Sequence, residues 1–262
     1  MGGSWKLNFG LNINGMDCMT STVIKTLNEV VIEDCFESVH PWNLRLIKSE
    51  DCLSYVVWNE ESREVLYIDP KKDDMSAYLS IKNQLDDYCC LGVVDTHTHA
   101  DHVSCAVDLS KMLDAPLFMH CLSPSSRTNL KIVQRTSMAT RAGRVVFLPT
   151  PGHTPDSLCL TWGPFIFTGD TVLYNDVGRD DLPGGDPAAH YESLSILKEV
   201  VNPQMFVLPG HDARGGRISK WVKQLESNVS LKQGRELFIQ EAGEFDAPAP
   251  SLFKKSLFEN MK

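Results

Sequence analysis

The sequence contains no hydrophobic run that approaches the roughly 18 residues needed to span a bilayer, and basic residues are a minority among its charged side chains. Lys and Arg number 25 against 34 Asp and Glu, so the formal net charge is −9. This balance disfavours a broad basic surface for nucleic acid. Acidic residues also interrupt the first forty positions, which fit neither a secretory hydrophobic segment nor an acid-poor transit peptide. We therefore expect a cytoplasmic protein without membrane or nucleic-acid partners.

Paired cysteine motifs are also missing. The eight cysteines show no zinc-ribbon spacing, and Cys89 and Cys90 are adjacent. The sequence therefore predicts free thiols in a reducing compartment rather than a set of disulfides. Cys121 and Cys159, near the predicted rim of the fold, are candidates for a redox thiol, although the favoured interpretation is that they are inert.

The chain is long enough for one large globular domain, because its 262 residues are 42% hydrophobic and 23% charged. Short β-rich runs form a meander between residues 44 and 68, and further short strands alternate with helices such as residues 187–200. This order predicts an α/β protein with two packed sheets and helices outside. We assign residues 41–262 to this domain and residues 1–40 to an N-terminal extension, in which residues 23–36 are compatible with a short amphipathic helix.

The densest group of chemically active residues is His97-Thr-His99-Ala-Asp101-His102, which directly follows a short apolar run at residues 91–95. Three imidazoles and a carboxylate on a strand-to-helix turn can face one point. Such a set is typical of a metal site and suits zinc, iron or manganese, whereas a structural four-cysteine zinc site is not indicated.

Three more ligand-type side chains follow predicted strands. In each case a glycine, which lets the backbone turn tightly, precedes the ligand. Taken singly these motifs are weak, because the aspartate could cap a helix and the last histidine could be a turn residue. With the first motif they predict one metal centre. The three ligands are His153, Asp170 and His211.

The His97-to-His102 motif, His153, Asp170 and His211, in this order, resemble the metal-binding residues of the metallo-β-lactamase superfamily. The resemblance covers about residues 44–225 and implies a four-layer αββα sandwich with the metal at one rim of the two sheets. The superfamily includes hydrolases, lactonases, nucleases and oxidoreductases, so the fold alone does not name the reaction.

Smaller features are similar to the persulfide dioxygenase branch of this superfamily. They are residues 61–70, residues 176–181, the His211-Asp212 pair and a tail with Asn260. The resemblance implies oxidation of glutathione persulfide, or a related thiol persulfide, by O₂ to sulfite and free thiol. Glyoxalase II is a close relative, but it usually carries a longer helical glutathione-binding region.

The dioxygenase resemblance implies one Fe²⁺ per chain. Two histidines and a carboxylate would hold it and leave three coordination positions open. Its implied ligands are His97, His153 and Asp170. The remaining ligand-type residues would orient these ligands and hold metal-bound water, with Asp101 and His102 as the candidate catalytic pair beside His99 and His211.

Two alternatives stay open. In a glyoxalase II-type thioester hydrolase, two Zn²⁺ ions or a mixture of zinc, iron and manganese would share the site, with Asp170 as the bridging ligand. One metal would take His97, His99 and His153, and the other Asp101, His102 and His211. The second alternative is a non-catalytic metal-binding module that serves a redox partner. The sequence leaves the metal count and the oligomeric state open, with a homodimer as one option.

Arg179 resembles the arginine that anchors a glutathione carboxylate in the dioxygenases, since a guanidinium suits that task. The alternative is an arginine paired with a neighbouring aspartate, Asp180 or Asp181. Two departures weaken the glutathione assignment: Ala213 stands where the family commonly has tyrosine, and Asp156 where it commonly has glycine. The departures leave open a different carrier thiol or another basic group as the anchor; the basic candidates are Arg127, Arg214 and Arg217.

Overall fold

The computed structural model describes residues 22–27, 30–34, 39–125, 129–212, 218–245 and 248–261. Within these residues the strands form two sheets. The first sheet contains eight strands in chain order, β1 (Thr22–Leu27), β2 (Val30–Asp34), β3 (Trp42–Ser49), β4 (Cys52–Asn59), β5 (Glu64–Ile68), β6 (Cys89–Val94), β7 (Leu117–His120) and β8 (Leu130–Ile132).

The second sheet contains six strands in the spatial order β14-β13-β12-β11-β10-β9. Their bounds are β9 (Thr136–Thr140), β10 (Gly143–Pro149), β11 (Leu158–Trp162), β12 (Phe165–Gly169), β13 (Phe206–Pro209) and β14 (Ser219–Lys220). The helices are α1 (Met75–Gln84), α2 (Ala106–Met112), α3 (Pro187–Val200), α4 (Trp221–Ser227), α5 (Val229–Lys232), α6 (Arg235–Gly243) and α7 (Phe253–Asn260). Over the described part of the chain, no helix combines the length and apolarity that crossing a membrane requires.

Three layers of buried side chains hold these elements together. The central layer lies between the sheets, where alternate residues such as Leu44 and Leu46 of β3 meet Phe147 of β10 and Trp162 of β11. A second layer packs α1 and α2 on the outer face of the first sheet. A third packs α3, α4, α5 and α6 on the outer face of the second. The order helix, sheet, sheet, helix confirms the predicted αββα sandwich.

The predicted helix at residues 23–36 is wrong. Residues 22–27 and 30–34 are strands β1 and β2, which pair with each other and with β3. Their runs Thr-Val-Ile and Val-Val-Ile are β-branched, which favours a strand, and β3 offers an edge to pair with. The division into domains at residue 41 stays a prediction. The sequence also did not predict the short strands β8 and β9 or the C-terminal helices α6 and α7.

Parallel pairing brings the ends of separated strands to one rim. β5, β6 and β7 run parallel in the first sheet, and β12 and β13 run parallel in the second. The residues that follow β6, β12 and β13 therefore emerge at the same end of the sandwich. These are the segments that carry the histidines and aspartates predicted to bind metal.

Candidate metal centre

The rim gathers one nitrogen or oxygen atom from each of His97, His153 and Asp170 within 4.8 Å of one another. The ring centroids of the two histidines lie 5.0 Å apart and nearly perpendicular, and His153 Nε2 is 3.5 Å from Asp170 Oδ2. These three residues come from three different loops. They form a donor set of two imidazoles and one carboxylate.

The proton on His97 can be assigned from its neighbours. The Thr96 hydroxyl donates to Asp69 Oδ2 at 2.9 Å, and His97 Nδ1 lies 3.0 Å from the same hydroxyl oxygen. Because that hydroxyl has one proton, His97 Nδ1–H is the donor to it, and Nε2 keeps its lone pair. Burial, with the adjacent His99, lowers the pKa of His97 to about 3. The ring is therefore neutral and ready to bind a cation.

His153 is oriented by the backbone. Its Nδ1 donates to the carbonyl oxygen of Arg179 at 2.6 Å, which leaves the lone pair on Nε2, the atom facing Asp170. The backbone segment that contains Gly178 and Arg179 is held close to Asp170, because Gly178 N donates to the Asp170 carbonyl oxygen at 2.8 Å. A Cβ at Gly178 would lie only 2.2 Å from that oxygen, so the approach requires glycine.

A second group of donors surrounds Asp101. Its Oδ2 is contacted by Cys52 Sγ at 3.0 Å, His102 Nδ1 at 2.9 Å and His211 Nε2 at 3.1 Å. Donor atoms of Cys52, Asp101 and His102 lie within 4.8 Å of one another. Burial alone would raise the pKa of Asp101, but hydrogen bonds from His102 and His211 hold it well below its usual range.

His211 joins the two groups. Its Nδ1 is 2.7 Å from Asp170 Oδ1, while its Nε2 faces Asp101. Burial would lower the pKa of His211, but the charge of Asp170 and hydrogen bonds to both carboxylates raise it well above its usual value. Burial likewise opposes ionisation of Asp170, yet His211 holds the pKa of that carboxyl below its ordinary range.

His99 belongs to a third, fully buried group. Its Nε2 lies 3.3 Å from Asp69 Oδ1 and 3.9 Å from Asp95 Oδ1, and neither ring nitrogen has a hydrogen-bond partner among the described residues. Its ring also packs on His97, with centroids 4.2 Å apart. The imidazole therefore lies beside the His97 group while its Nε2 faces these two carboxylates.

Arg179 is engaged by protein groups. Its Nε and Nη2 donate to Asp181 at 2.7 and 2.5 Å, its Nη1 donates to the carbonyl of Pro248 at 2.9 Å, and its guanidinium lies 5.1 Å from the centre of the Phe245 ring. Its predicted role as an anchor for a substrate carboxylate stays a prediction. Asp180 is not its partner, because that side chain pairs with His190 at 2.8 Å.

Asp156, the departure from the family's glycine, has a structural task. Its Oδ2 accepts hydrogen bonds from the backbone N and the hydroxyl of Thr98, at 2.9 and 2.6 Å. Thr98 lies between His97 and His99, so this carboxylate braces the metal-binding loop. The other departure, Ala213, lies outside the described residues. So do the three alternative basic residues, Arg127, Arg214 and Arg217.

The sequence interpretation missed two residues near the site. Cys52 begins β4 and lies outside every motif, and Asn260 was noted only as part of a similar tail. Asn260 contacts the loop that contains His99 and His102. The six described cysteines, at positions 52, 89, 90, 105, 121 and 159, are free thiols. Burial raises the pKa of Cys159 to about 11, which agrees with an inert thiol.

Comparisons with known proteins agree with this geometry. The profile of the metallo-beta-lactamase superfamily matches residues 124–211, which contain His153, Asp170 and His211. The human mitochondrial persulfide dioxygenase ETHE1 is 26% identical over 215 residues, which are 80% of this chain and 83% of that protein. A hydroxyacylglutathione hydrolase of Anaeromyxobacter dehalogenans is 32% identical over 161 residues, 61% of this chain and 62% of the hydrolase.

Among solved structures, ETHE1 from Myxococcus xanthus superposes with a TM-score of 0.75 and 27% identity, covering 83% of this chain and 97% of that one. Fold, rim geometry and these matches agree on the class: residues 124–211 match the metallo-β-lactamase superfamily, whose members are mostly metal-dependent enzymes, and the two sheets with outer helices form the metallo-β-lactamase fold. Within it, the ETHE1 similarities support the persulfide dioxygenase branch.

Proposed function

We propose that this protein is a mononuclear non-haem iron dioxygenase that converts glutathione persulfide, or a related thiol persulfide, with O₂ and water to sulfite and free thiol. The observation that carries the proposal is the set of His97, His153 and Asp170, whose donor atoms lie within 4.8 Å of one another. Two histidines and one carboxylate are the ligands typical of Fe²⁺ oxygenases. The similarity to ETHE1 proteins supports the same reaction.

The residues present fit such an ion. Both histidines offer an unprotonated Nε2, because Thr96 fixes the proton of His97 and the Arg179 carbonyl fixes that of His153. Asp170 is ionised, and one of its oxygens faces His153. Iron held there would supply redox chemistry and open positions for the persulfide sulfur and O₂.

The residues around this donor set would hold and accept protons. His211 lies between two carboxylates and holds Asp170 by one oxygen, which keeps the other directed at the donor set. Asp101, ionised and partly exposed, is an acceptor at the edge of the site. In this proposal Asp101 and His102 hold water and take up a proton released as sulfite forms.

The test is elemental analysis of anaerobically purified protein, followed by O₂ uptake with glutathione persulfide. We expect about one iron per chain, held by His97, His153 and Asp170, and uptake that depends on the persulfide. Iron-loaded protein that consumes no O₂ with this or other low-molecular-weight persulfides would overturn the proposal.

A thioester hydrolase with two metals is the second candidate. Two observations favour it: the donors Asp101, His102 and His211 adjoin the first set, and a hydroxyacylglutathione hydrolase is 32% identical over part of its length. About two zinc ions per chain and hydrolysis of glutathione thioesters without O₂ uptake would establish it. Bound metal with neither activity would favour the non-catalytic redox-partner module.

A further inference from the structure

His190 and Asp180 form a buried pair outside the metal-binding motifs, and no step of the proposed reaction uses them. His190 Nδ1 lies 2.8 Å from Asp180 Oδ1, and the two side chains are 0% and 2% exposed. We propose that this pair is a positioning element of the metal centre, which fixes His153 and Asp170 relative to each other and thereby sets the affinity for the metal. The inference deepens the proposed function and rests on it, because it takes these two residues as metal ligands.

Both nitrogens of the His190 ring face acceptors. Nε2 lies 2.8 Å from the carbonyl oxygen of Thr171, which can only accept, so Nε2 carries a proton. The ionised carboxylate of Asp180 can likewise only accept, so Nδ1 carries a second proton. The ring is therefore an imidazolium that donates in two directions and joins two separate segments of the chain.

Each of these segments continues directly to the metal centre. Thr171 follows Asp170 in the sequence, so the carbonyl that the ring binds belongs to the residue next to a ligand. Asp180 follows Arg179, whose carbonyl oxygen accepts from His153 Nδ1 at 2.6 Å. One ring thus links the backbone beside the carboxylate ligand to the backbone that orients the histidine ligand.

The helix that carries His190 is itself fixed to the loop of His153. A Cβ at Gly152 would lie 2.3 Å from His190 Cα, so the residue before His153 packs directly on the first turn of α3. One turn further along this helix, Ser193 Oγ donates to the carbonyl of Pro151 at 2.7 Å. The ring therefore extends from a base that is already anchored beside the site.

The charge of the pair favours a positioning role over a purely structural one. Burial of two charges opposes folding, and an apolar pair of similar volume often gives equal or greater stability. What a charged pair adds is direction, because its hydrogen bonds are short and hold donor and acceptor in a defined geometry. In this proposal the pair contributes more to the geometry of the adjacent ligands than to the stability of the fold.

The test compares two substitutions of Asp180 in the full chain. Asp180→Ala removes the link to the Arg179 segment. It leaves a neutral His190 that can still donate to Thr171, so the variant should fold. Asp180→Asn keeps both hydrogen bonds, because its amide can donate to Nδ1 of a neutral ring. We expect the affinity for Co²⁺, measured by competition with a chelator, to fall at least about tenfold in the alanine variant and less than about twofold in the asparagine variant.

The visible d–d spectrum of bound Co²⁺ gives a second measurement, because it depends on coordination geometry. It should change in Asp180→Ala and match the wild type in Asp180→Asn, and His153→Ala identifies the cobalt equivalent that this donor set binds. Leu197→Ala, at a buried core position of α3, is the matched control. It should lower the urea midpoint of the metal-free protein at least as much as Asp180→Ala, yet keep the wild-type affinity and spectrum.

Three results would overturn the inference. They are wild-type affinity and spectrum in Asp180→Ala, equal losses of affinity in the two Asp180 variants, and an equal loss in Leu197→Ala. If Asp180→Ala does not fold, the double variant His190→Leu/Asp180→Leu decides, since it leaves no charge buried alone. It should fold and bind Co²⁺ at least about tenfold more weakly, and wild-type affinity there would also overturn the inference.

Failure of the proposed function gives a different result. A wild-type protein whose Co²⁺ binding is the same as that of His153→Ala does not use this donor set, which would overturn the proposed iron site and the positioning role together. A wild type that binds Co²⁺ through His153, with unchanged binding in the Asp180 variants, would overturn only the positioning role.

Discussion

Asn260, in the last helix, donates from its side-chain Nδ2 to the backbone carbonyl of His99 at 2.9 Å. The same nitrogen donates to the carbonyl of His102 at 2.9 Å, and Asn260 Oδ1 accepts from the backbone N of Ser104 at 2.9 Å. One carboxamide near the C-terminus thus closes the loop that carries the first metal-binding motif. The loop's shape depends on a residue more than 150 positions away.

Asn260→Ala should loosen the metal without unfolding the chain. Three hydrogen bonds to the loop are lost, and residues that orient ligands typically contribute about 10–100-fold to metal affinity. Iron loss during a chelator challenge should therefore be faster by at least about tenfold. Asn202→Ala, an exposed asparagine after α3, is the control. Equal rates of iron loss in the two variants would contradict this role.

His153→Ala should remove metal and activity but leave a folded protein. The side chain belongs to none of the three apolar clusters, so the core does not depend on it. Elemental analysis and O₂ uptake measure the loss, and far-ultraviolet circular dichroism reports the fold. His40→Ala changes an exposed histidine and should match the wild type. Loss of the helical and strand signal together with the metal would count against the prediction.

Asp156→Gly, which restores the residue common in the family, should destabilise this chain. The buried carboxylate accepts two hydrogen bonds from Thr98, each worth about 1.5–3 kcal/mol when the acceptor is charged. We expect the free energy of unfolding to fall by about 3–6 kcal/mol in urea titrations. Asp156→Asn keeps an oxygen acceptor and should lose less. A glycine variant as stable as the wild type would refute the bracing role.

The buried carboxylate of Glu64 should make the free energy of unfolding depend on pH. Burial raises its pKa, but hydrogen bonds from the backbone N atoms of Arg141 and Ala142, both 2.9 Å, lower it more, and the net shift is downward. Because the folded pKa lies below the unfolded 4.5, the stabilisation is present above pH 4.5 and is lost as pH falls through the folded pKa.

Glu64→Gln measures this contribution. At pH 7 the variant should be less stable by about 1–3 kcal/mol, because an amide can satisfy only one of the two donors. Urea unfolding of both proteins from pH 7 down to pH 3 gives the difference between their free energies of unfolding. The titration of the metal-site residues contributes equally to both proteins, so it cancels from this difference. A difference that does not shrink as the pH falls below 4.5 would show that charge is not its cause.

Arg179→Ala tests the predicted substrate anchor. The His153 ring is held by the Arg179 backbone carbonyl, which the substitution keeps, so the iron content should not change. If the guanidinium exchanges Asp181 for a substrate carboxylate, KM for glutathione persulfide should rise about tenfold, as expected for losing roughly 1.4 kcal/mol. Unchanged KM would mean that the Arg179 side chain serves contacts within the protein, such as those with Asp181, Pro248 and Phe245, rather than the substrate.

Much of the site could be predicted from local signals. His97 to His102, His153, Asp170 and His211 each follow a short apolar run, and the last three come directly after a glycine. Such signals lie within a few residues of one another, so pattern and residue type reveal them. Strand β4 and helix α3 were predictable for the same reason, since each carries its own periodicity.

The sequence by itself determined two packed sheets with outer helices and the kinds of metal ligand, because strand periodicity and ligand chemistry are local properties; the αββα sandwich with its metal site at one rim was implied by the family resemblance. Only the tertiary structure decided how the ligands divide into groups. Cys52 meets Asp101 across 49 residues and His211 meets Asp101 across 110. Contacts between residues so far apart in the sequence depend on how the strands pair and how the two sheets pack, and no local sequence pattern encodes this. The same holds for β1 and β2, whose strand conformation depends on the edge that β3 offers.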